Sequence, residues 1–218
     1  METSDSVQDY LKSIYALEQT GDDATTTAIA ARLSVSPASV TAMVKKLADR
    51  GHLQHERYRG VRLTASGRKL AEEVIRHHRL IEAYLHRVLG MSWDEVHDEA
   101  EKLEHAISER FEDRIAEVLG HPTHDPHGDP IPPKNGKHVE VMHPTLEAAE
   151  IGPAEVKRVS DRDPEALRYL AKLGITPGTL IEIEEQDPFG GPVWVKVRNR
   201  RHPIGKELAE TIYVATKL

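Results

Sequence analysis

The sequence contains no cysteine. This excludes a disulfide framework, a cysteine-based zinc site and a thiol nucleophile. It also has no apolar run approaching the ~20 residues of a membrane-spanning helix. No charged-then-apolar leader opens the chain, so we expect a cytoplasmic protein without a membrane partner. Any metal ion must be held by oxygen and nitrogen ligands, for which 36 acidic residues and 13 histidines are available.

Charge is unevenly distributed along the chain. Between Val40 and Leu70, eight basic residues stand against two acidic ones, a net charge of +6, whereas the whole 218-residue chain carries −7. A local basic patch on an acidic protein is typical of a surface that binds the phosphates of nucleic acid. The chain length fits one large domain or two to three small ones.

The N-terminal third predicts a winged helix. An amphipathic helix at "SVQDYLKSIYALEQ" precedes a short second helix and the segment "SVSPASVTAMVKKLADRG". In that segment Ser36 suits an N-cap, Pro37 the first helical position and Gly51 the C-terminal end. Two strands around Arg59-Gly60 then form a basic hairpin, the wing beside a helix-turn-helix. The alternative is a helical hairpin with a β-arm that binds no DNA.

Two long helices are expected next, one at "SGRKLAEEVIRHHRLIEAYLHRVLG" and one from about Ser92 to Gly120. The segment "HPTHDPHGDPIPPKNGKH" has five prolines in 18 residues and is interpreted as a linker. Apolar and polar residues then alternate between turns, which predicts a small antiparallel β-barrel with one helix at "PEALRYLAKLG". Five histidines in and after the linker are interpreted as polar loop residues: His121, His124, His127, His138 and His143.

The stretch "EAEKLEH" at residues 99–105 suggests a metal site. Its Glu101, Glu104 and His105 stand at i, i+3 and i+4, which is one face of a helix. Neighbouring carboxylates repel, and a divalent cation turns that repulsion into coordination. His97 extends the stripe by one turn, and a solvated acidic face is the alternative. The preceding helix carries a pair at the same spacing, His78 and Glu82.

Six stretches of the chain carry a family resemblance: "DYLKSIYALE", "SVSPASVTAMVKKLADRG", "YRGVRLTASGRKLA", "RHHRLIE", "VHDEAEKLEHAIS" and "DPHGDPIP". They resemble successive blocks of the diphtheria-toxin-repressor family of metal-dependent transcription regulators, over residues 5–133. The resemblance implies a mainly α protein with small β parts. It also implies three domains, namely a winged helix-turn-helix (1–72), a helical dimerisation and metal-binding domain (73–140) and an SH3-like, FeoA-like domain (141–218).

The metal ligands follow from the same resemblance. The family's primary site falls on Asp9, Glu101, Glu104 and His105, and its second site falls on His78, Glu82 and His97. Iron-responsive members have a methionine in place of Asp9 and a cysteine in place of Glu101. Both positions hold carboxylates here, which is the pattern of the manganese-responsive members. Carboxylate-rich, six-coordinate sites favour Mn²⁺, so Mn²⁺ is the expected cofactor and Fe²⁺ the alternative.

The sequence departs from the family pattern at two places. Lys12 stands where the shorter, two-domain manganese regulators have another carboxylate, so separate primary and second sites are expected rather than a binuclear cluster. In iron-responsive members the third domain lends two ligands to the second site. Ala166 and Tyr169 stand near those positions here, and Asp163 or Glu165 would serve only after a shift in register. No ligand from the third domain is therefore assigned.

The expected function is transcriptional regulation by a homodimer that binds double-stranded operator DNA. We expect no enzymatic activity and no small-molecule substrate beyond metal ions. One ion joining Asp9 to the dimerisation domain would hold two recognition helices about one helical turn (~34 Å) apart. The alternatives are a di-iron metalloenzyme, an Fe²⁺ regulator and a constitutive architectural DNA binder. The residues expected to contact DNA are Ser36, Pro37, Ala38, Ser39, Thr41, Lys45, Lys46, Arg57 and Arg59.

Overall fold

The computed structural model describes residues 4–135 and 141–216, which form eight helices and seven strands. The expected class, mainly α with small β parts, is confirmed. The chain divides into two compact units, one of Met1–His78 with Glu104–Ile107 and one of Arg79–Leu103 with Ser108–Leu218. Within the described ranges, no single helix has both the length and the apolar character to cross a membrane. Only the bent pair at Thr26–Leu33 and Pro37–Asp49 meets both requirements together.

The first unit is the predicted winged helix. Its core is built from apolar side chains at helical spacing, such as Leu11, Ile14 and Leu47, none of which is exposed. The hairpin pairs Leu53 with Leu63 in antiparallel register. The elements are α1 (Asp5–Thr20), α2 (Thr26–Leu33), α3 (Pro37–Asp49), β1 (Leu53–Glu56), β2 (Gly60–Leu63) and the start of α4 (Ala65–Arg87).

Local signals determine where α3 and the wing lie. The Ser36 hydroxyl accepts a hydrogen bond from the backbone N–H of Ser39, and Pro37 opens the helix without leaving an unpaired N–H. Gly60 begins β2 with φ +86°, and a Cβ at this position would lie 2.2 Å from the carbonyl oxygen of Ala24. Only glycine therefore lets the wing approach the loop between α1 and α2 this closely.

The single long helix expected from Ser92 to Gly120 is wrong. Two shorter helices occupy this stretch, α5 (Val96–Leu103) and α6 (Glu109–Val118). The Ser108 hydroxyl accepts a hydrogen bond from the N–H of Phe111, so it starts a new helix where the apolar periodicity alone predicts continuation. Glu104 and His105 consequently lie in the turn after α5 and not on a helical face.

The C-terminal part of the second unit is a five-stranded antiparallel sheet in the order β6-β5-β4-β3-β7. Alternating apolar residues such as Val156, Ile183 and Val195 form its buried face and pack against Leu167 and Leu170 of α7. The elements are β3 (Gly152–Val159), α7 (Pro164–Leu173), β4 (Leu180–Gln186), β5 (Val193–Val197), β6 (Arg200–Ile204), α8 (Lys206–Ala209) and β7 (Ile212–Thr216).

Candidate metal centres and nucleic-acid interface

Three of the four expected primary ligands come together in the first unit. Asp9 on α1 offers an oxygen 2.9 Å from Nε2 of His105, and Glu104 Oε1 lies 3.6 Å from the same nitrogen. One ligand atom from each residue lies within 4.8 Å of the others. The other ring nitrogen of His105, Nδ1, lies 2.5 Å from Gln8 Oε1 and donates to it. Such a hydrogen bond orients an imidazole for metal binding. We call Asp9, Glu104 and His105 the first cluster.

Glu104 is buried, and its carboxylate has two basic neighbours. Lys12 Nζ lies 3.0 Å from Oε1 and 2.8 Å from Oε2, and His78 Nδ1 lies 2.5 Å from Oε2. Burial raises the pKa of the Glu104 carboxyl, but the His78 hydrogen bond and the Lys12 charge outweigh it and lower this pKa below its usual value. The carboxylate is therefore ionised.

Glu101, the fourth expected primary ligand, is not part of the first cluster. It lies on α5 in the second unit with its side chain 44% exposed, and its Oε1 is 3.9 Å from Nε2 of His97. Because α5 ends at Leu103, the helical spacing that would align Glu101 with Glu104 and His105 does not continue. The role of Glu101 as a ligand stays a prediction.

A second group of ligand side chains forms in the second unit around Glu82, on the buried face of α4. Nδ1 of His97 lies 2.9 Å from Asp161 Oδ2 and 3.3 Å from Glu82 Oε1. Burial lowers the pKa of His97, but its hydrogen bonds to Asp161 and Glu82 outweigh burial and raise it to about 10. Glu82 and His97 were expected at this site, whereas the expected partner His78 belongs to the first unit.

Asp125 and His127 also lie beside Glu82, and the sequence analysis did not assign them to a site. Both are buried, and each can place a ligand atom within 4.8 Å of one from Glu82. Nε2 of His127 donates to the carbonyl oxygen of Trp93 over 2.6 Å, and this turns Nδ1 towards Glu82 Oε1 at 3.7 Å. Nδ1 has no hydrogen-bond partner among the described residues. His127 thus lies in a loop, as expected, but it is fully buried there, and a ligand role for it is a prediction.

Buried carboxylates crowd around Asp125, and Arg79, whose Nε lies 3.8 Å from Asp125 Oδ2, offsets only part of their charge. Burial raises the pKa of Asp125 well above its usual value, and the neighbouring Glu82 and Asp129 carboxylates raise it further. Burial lowers the pKa of His127, but Glu82 outweighs it and raises this pKa to about 9. A divalent cation would relieve the repulsion between the carboxylates. Glu82 belongs both to a group with His97 and Asp161 and to a group with Asp125 and His127, and we call these five residues the second cluster.

The loop that carries Asp125 and His127 is rigidly built. Asp125 Oδ1 accepts hydrogen bonds from the N–H groups of His127 (2.8 Å) and Asp129 (2.9 Å). Arg79 on α4 donates to Asp129 Oδ1 over 2.9 Å. Gly128 has φ +89°, and a Cβ there would lie 2.0 Å from the carbonyl oxygen of Lys157. The segment "DPHGDP" is thus an ordered loop that carries two candidate ligands, Asp125 and His127. His138, another linker histidine, lies outside the described residues.

Asp161, in the segment between β3 and α7, belongs to the second cluster, whereas Asp163 and Glu165 do not. Asp163 is the N-cap of α7, and its Oδ1 accepts from the N–H groups of Glu165 and Ala166. This occupies the carboxylate that would otherwise be a candidate ligand. Burial raises the pKa of Asp161, but its hydrogen bond with His97 outweighs burial and holds the pKa below its usual value.

The candidate nucleic-acid interface is the outer face of α3 with the wing. Thr41 donates to the carbonyl oxygen of Pro37 over 2.9 Å, which leaves hydroxyl lone pairs for an external donor. At the wing tip, Tyr58 is 85% exposed with φ +69°, and the Arg57 guanidinium lies 4.9 Å above its ring. Tyr58 was not predicted. The predicted DNA-contacting residues are all exposed: Ser36, Pro37, Ala38, Ser39, Thr41, Lys45, Lys46, Arg57 and Arg59.

Comparisons with known proteins match this arrangement along almost the whole chain. The family model described as "Iron dependent repressor, N-terminal DNA binding domain" matches residues 2–61. The one described as "Iron dependent repressor, metal binding and dimerisation domain" matches residues 64–133. The FeoA domain model matches residues 145–216.

Individual relatives point to the same group of proteins. The diphtheria toxin repressor of Corynebacterium efficiens is 32% identical over 192 residues, which cover 82% of this chain and 83% of that protein. The iron-dependent repressor IdeR of Mycobacterium tuberculosis is 42% identical over 131 residues, and this chain spans only 57% of its length. A solved "manganese-dependent transcriptional repressor complex with manganese" is 38% identical with a TM-score of 0.91, covering 97% of this chain and 100% of that one.

Proposed function

The chain belongs to the diphtheria-toxin-repressor family of metal-dependent DNA-binding regulators, and we propose that it is a repressor activated by Mn²⁺. In this proposal a homodimer binds operator DNA through α3 and the wing when the first and second clusters hold metal. We also propose three domains: a winged helix-turn-helix at 1–72, a helical dimerisation and metal-binding domain at 73–140 and an SH3-like domain at 141–218. The chain spans only 57% of the IdeR sequence, so its activity and its partners are proposals.

The observation that carries the proposal is that the residues of the first cluster come from two different parts of the chain. Asp9 lies in the stretch that matches a DNA-binding domain, and Glu104 and His105 lie in the stretch that matches a metal-binding and dimerisation domain. With an ion bound, these side chains hold α1 to the turn after α5. Without an ion, the recognition helix samples other orientations. The apparent DNA affinity then falls in proportion to the fraction of molecules whose orientation allows DNA binding.

The donor sets fit a hard divalent cation. Both clusters consist of carboxylates and imidazoles, and the sequence contains no cysteine. A bound ion supplies positive charge that offsets the repulsion of buried carboxylates and, in the second cluster, gives Nδ1 of His127 a partner. Mn²⁺ accepts such ligands, and a similar solved structure is a manganese-dependent transcriptional repressor in complex with manganese. Fe²⁺ is the second candidate because iron-dependent repressors are also among the relatives.

Exposed apolar side chains in the second unit support the homodimer. Leu89 follows the end of α4, and Phe111 and Val118 lie on α6, each at least half exposed. Phe111 and Val118 stand seven residues apart and so share one face of α6, and a contiguous exposed apolar patch marks a protein–protein contact. Their segments fall within the stretch that matches a dimerisation domain.

The proposal is tested by DNA binding in metal-free buffer. Operator fragments are first selected from genomic DNA in the presence of Mn²⁺. The chelated protein is then titrated against them with Mn²⁺, Fe²⁺ or Zn²⁺ added back separately. We expect tight binding only with metal, and Mn²⁺ to restore it fully. Equal affinity with and without metal would support the constitutive architectural binder instead.

A variant pair links this response to the first cluster. His105→Ala removes one imidazole ligand from a half-buried site without opening a core cavity, so we expect a folded dimer that no longer responds to Mn²⁺. His202→Ala, on β6 outside both clusters, is the matched control and should respond like the wild type. A normal Mn²⁺ response in His105→Ala would contradict the proposed metal site and support the alternative, a solvated acidic face.

A further inference from the structure

Lys12 lies where a cation would bind. It projects from α1 with its side chain 22% exposed, and Nζ reaches both carboxylate oxygens of Glu104 at 2.8 and 3.0 Å. Nδ1 of His78 lies 3.2 Å from the same nitrogen. The ammonium is thus surrounded by three atoms of the types that coordinate divalent metals.

The ammonium has a clear role in the metal-free protein. The Glu104 side chain is completely inaccessible to solvent, and a buried carboxylate without a partner is strongly destabilising. Lys12 donates to both oxygens and supplies the compensating charge. Its flexible four-carbon stem and partial exposure allow it to swing towards water when another cation arrives.

Glu104 therefore has two competing uses. It is the central carboxylate of the first cluster, and its Oε1 lies both 3.0 Å from Lys12 Nζ and 3.6 Å from His105 Nε2. A divalent ion and an ammonium at the same carboxylate repel each other, and in a partly buried site this repulsion is only weakly screened. Metal binding at the first cluster must displace the ammonium or act against its charge.

We propose that Lys12 is a tethered competitor cation, which stabilises the metal-free first cluster and raises the Mn²⁺ concentration needed to fill it. The inference rests on the proposed function, because it assumes that the first cluster takes a metal ion. Lys12 would thus set the Mn²⁺ concentration at which the first cluster fills.

The proposal predicts two effects of opposite sign in Lys12→Met, which keeps the chain length and removes the charge. The dissociation constant for Mn²⁺ at the first cluster should fall about tenfold or more, because the repulsion is gone. The metal-free protein should melt at a temperature lower by roughly 2–4 °C, because Glu104 loses the ammonium and keeps only the His78 hydrogen bond. If Lys12 only supported the fold, its replacement by methionine would weaken both metal binding and stability.

The test measures Mn²⁺ binding without DNA, from the electron paramagnetic resonance signal of free Mn²⁺, with thermal unfolding of the metal-free forms alongside. Lys12→Arg keeps the charge and should bind Mn²⁺ within about threefold of the wild type. Lys172→Met, at an exposed position of α7, is the neutral control and should change neither quantity. If Lys12→Met does not fold without metal, Lys12→Gln replaces it with the same expected tightening.

A double-variant cycle assigns the effect to the first cluster. In a His105→Ala background the tightening by Lys12→Met should disappear, because the competing ion no longer binds there. Persistence of the tightening in that background, or unchanged or weaker Mn²⁺ binding by Lys12→Met itself, overturns the inference. Wild-type protein that binds no Mn²⁺ at all would instead contradict the proposed function, so the two failures are distinguishable.

Discussion

Metal binding at the second cluster should release protons. Nδ1 of His97 lies between the carboxylates of Asp161 and Glu82, and Nδ1 of His127 faces Glu82. Their pKa values in the metal-free protein are about 10 and about 9, so both imidazoles are protonated at pH 7. A metal-ligating imidazole must be neutral, and binding at both therefore releases two protons.

The magnitude follows from the same pKa values. At pH 7, removing the His97 proton costs about 4 kcal/mol and removing the His127 proton costs about 3 kcal/mol. The apparent Mn²⁺ affinity of the second cluster should therefore rise roughly 100-fold for each pH unit between pH 6 and 8, or tenfold for each proton released. His97→Asn keeps a polar side chain but cannot titrate, so its affinity should rise only about tenfold for each pH unit at this cluster.

The assay is calorimetry of Mn²⁺ binding at three pH values, in pairs of buffers that differ in ionisation enthalpy. The difference in heat between buffers counts released protons, and the difference between wild type and His97→Asn isolates the second cluster from the first. His202→Asn, outside both clusters, should release as many protons as the wild type. Equal proton counts in wild type and His97→Asn, or an affinity independent of pH, would refute the assignment of His97 as a protonated ligand.

The sign of the linked stability effect differs from that of metal affinity. Because the folded-state pKa of His97 lies above its ordinary value of 6.5, its ion pairs with Asp161 and Glu82 stabilise the metal-free fold fully below about pH 6.5. That contribution falls as the pH rises towards 10. Raising the pH therefore lowers the stability of the metal-free protein through this residue while strengthening metal binding.

Three further outcomes are expected. Gly128→Ala should destabilise the protein by about 2–4 kcal/mol in denaturant unfolding, because φ is +89° and the new Cβ meets the Lys157 carbonyl oxygen at 2.0 Å; normal stability would mean that the ligand loop is not held as described. Asp9→Met combined with Glu101→Cys exchanges two carboxylates for sulfur, so operator binding measured anaerobically should lose Mn²⁺ response and keep Fe²⁺ or Co²⁺ response, and an unchanged order of metals contradicts the role of ligand hardness. Operator affinity should fall steeply with salt, with a log–log slope of roughly −0.9 per phosphate neutralised, whereas a flat profile would show that the basic patch does not contact DNA.

The sequence by itself determined the elements whose signals are local. Ser36, Pro37 and the apolar spacing of α3 define the recognition helix within a few residues, because capping and periodicity act over one or two turns. The basic segment from Val40 to Leu70 indicates the nucleic-acid surface, because net charge can be read from the sequence alone. The overall order of winged helix, helical region and small β domain is likewise confirmed.

Only the tertiary structure decided which carboxylates and imidazoles share a site. Periodicity continues through residues 104–108, so it predicts one helix that carries Glu101, Glu104 and His105, whereas α5 ends at Leu103 and Ser108 caps a new helix. His127 lies in a proline-rich loop that looks solvated in sequence, yet it is fully buried against Glu82. Asp161 is a ligand candidate because its Oδ2 lies 2.9 Å from His97 Nδ1, whereas the Asp163 carboxylate caps α7. Contacts between residues tens of positions apart depend on how the elements pack, and no local propensity encodes that packing.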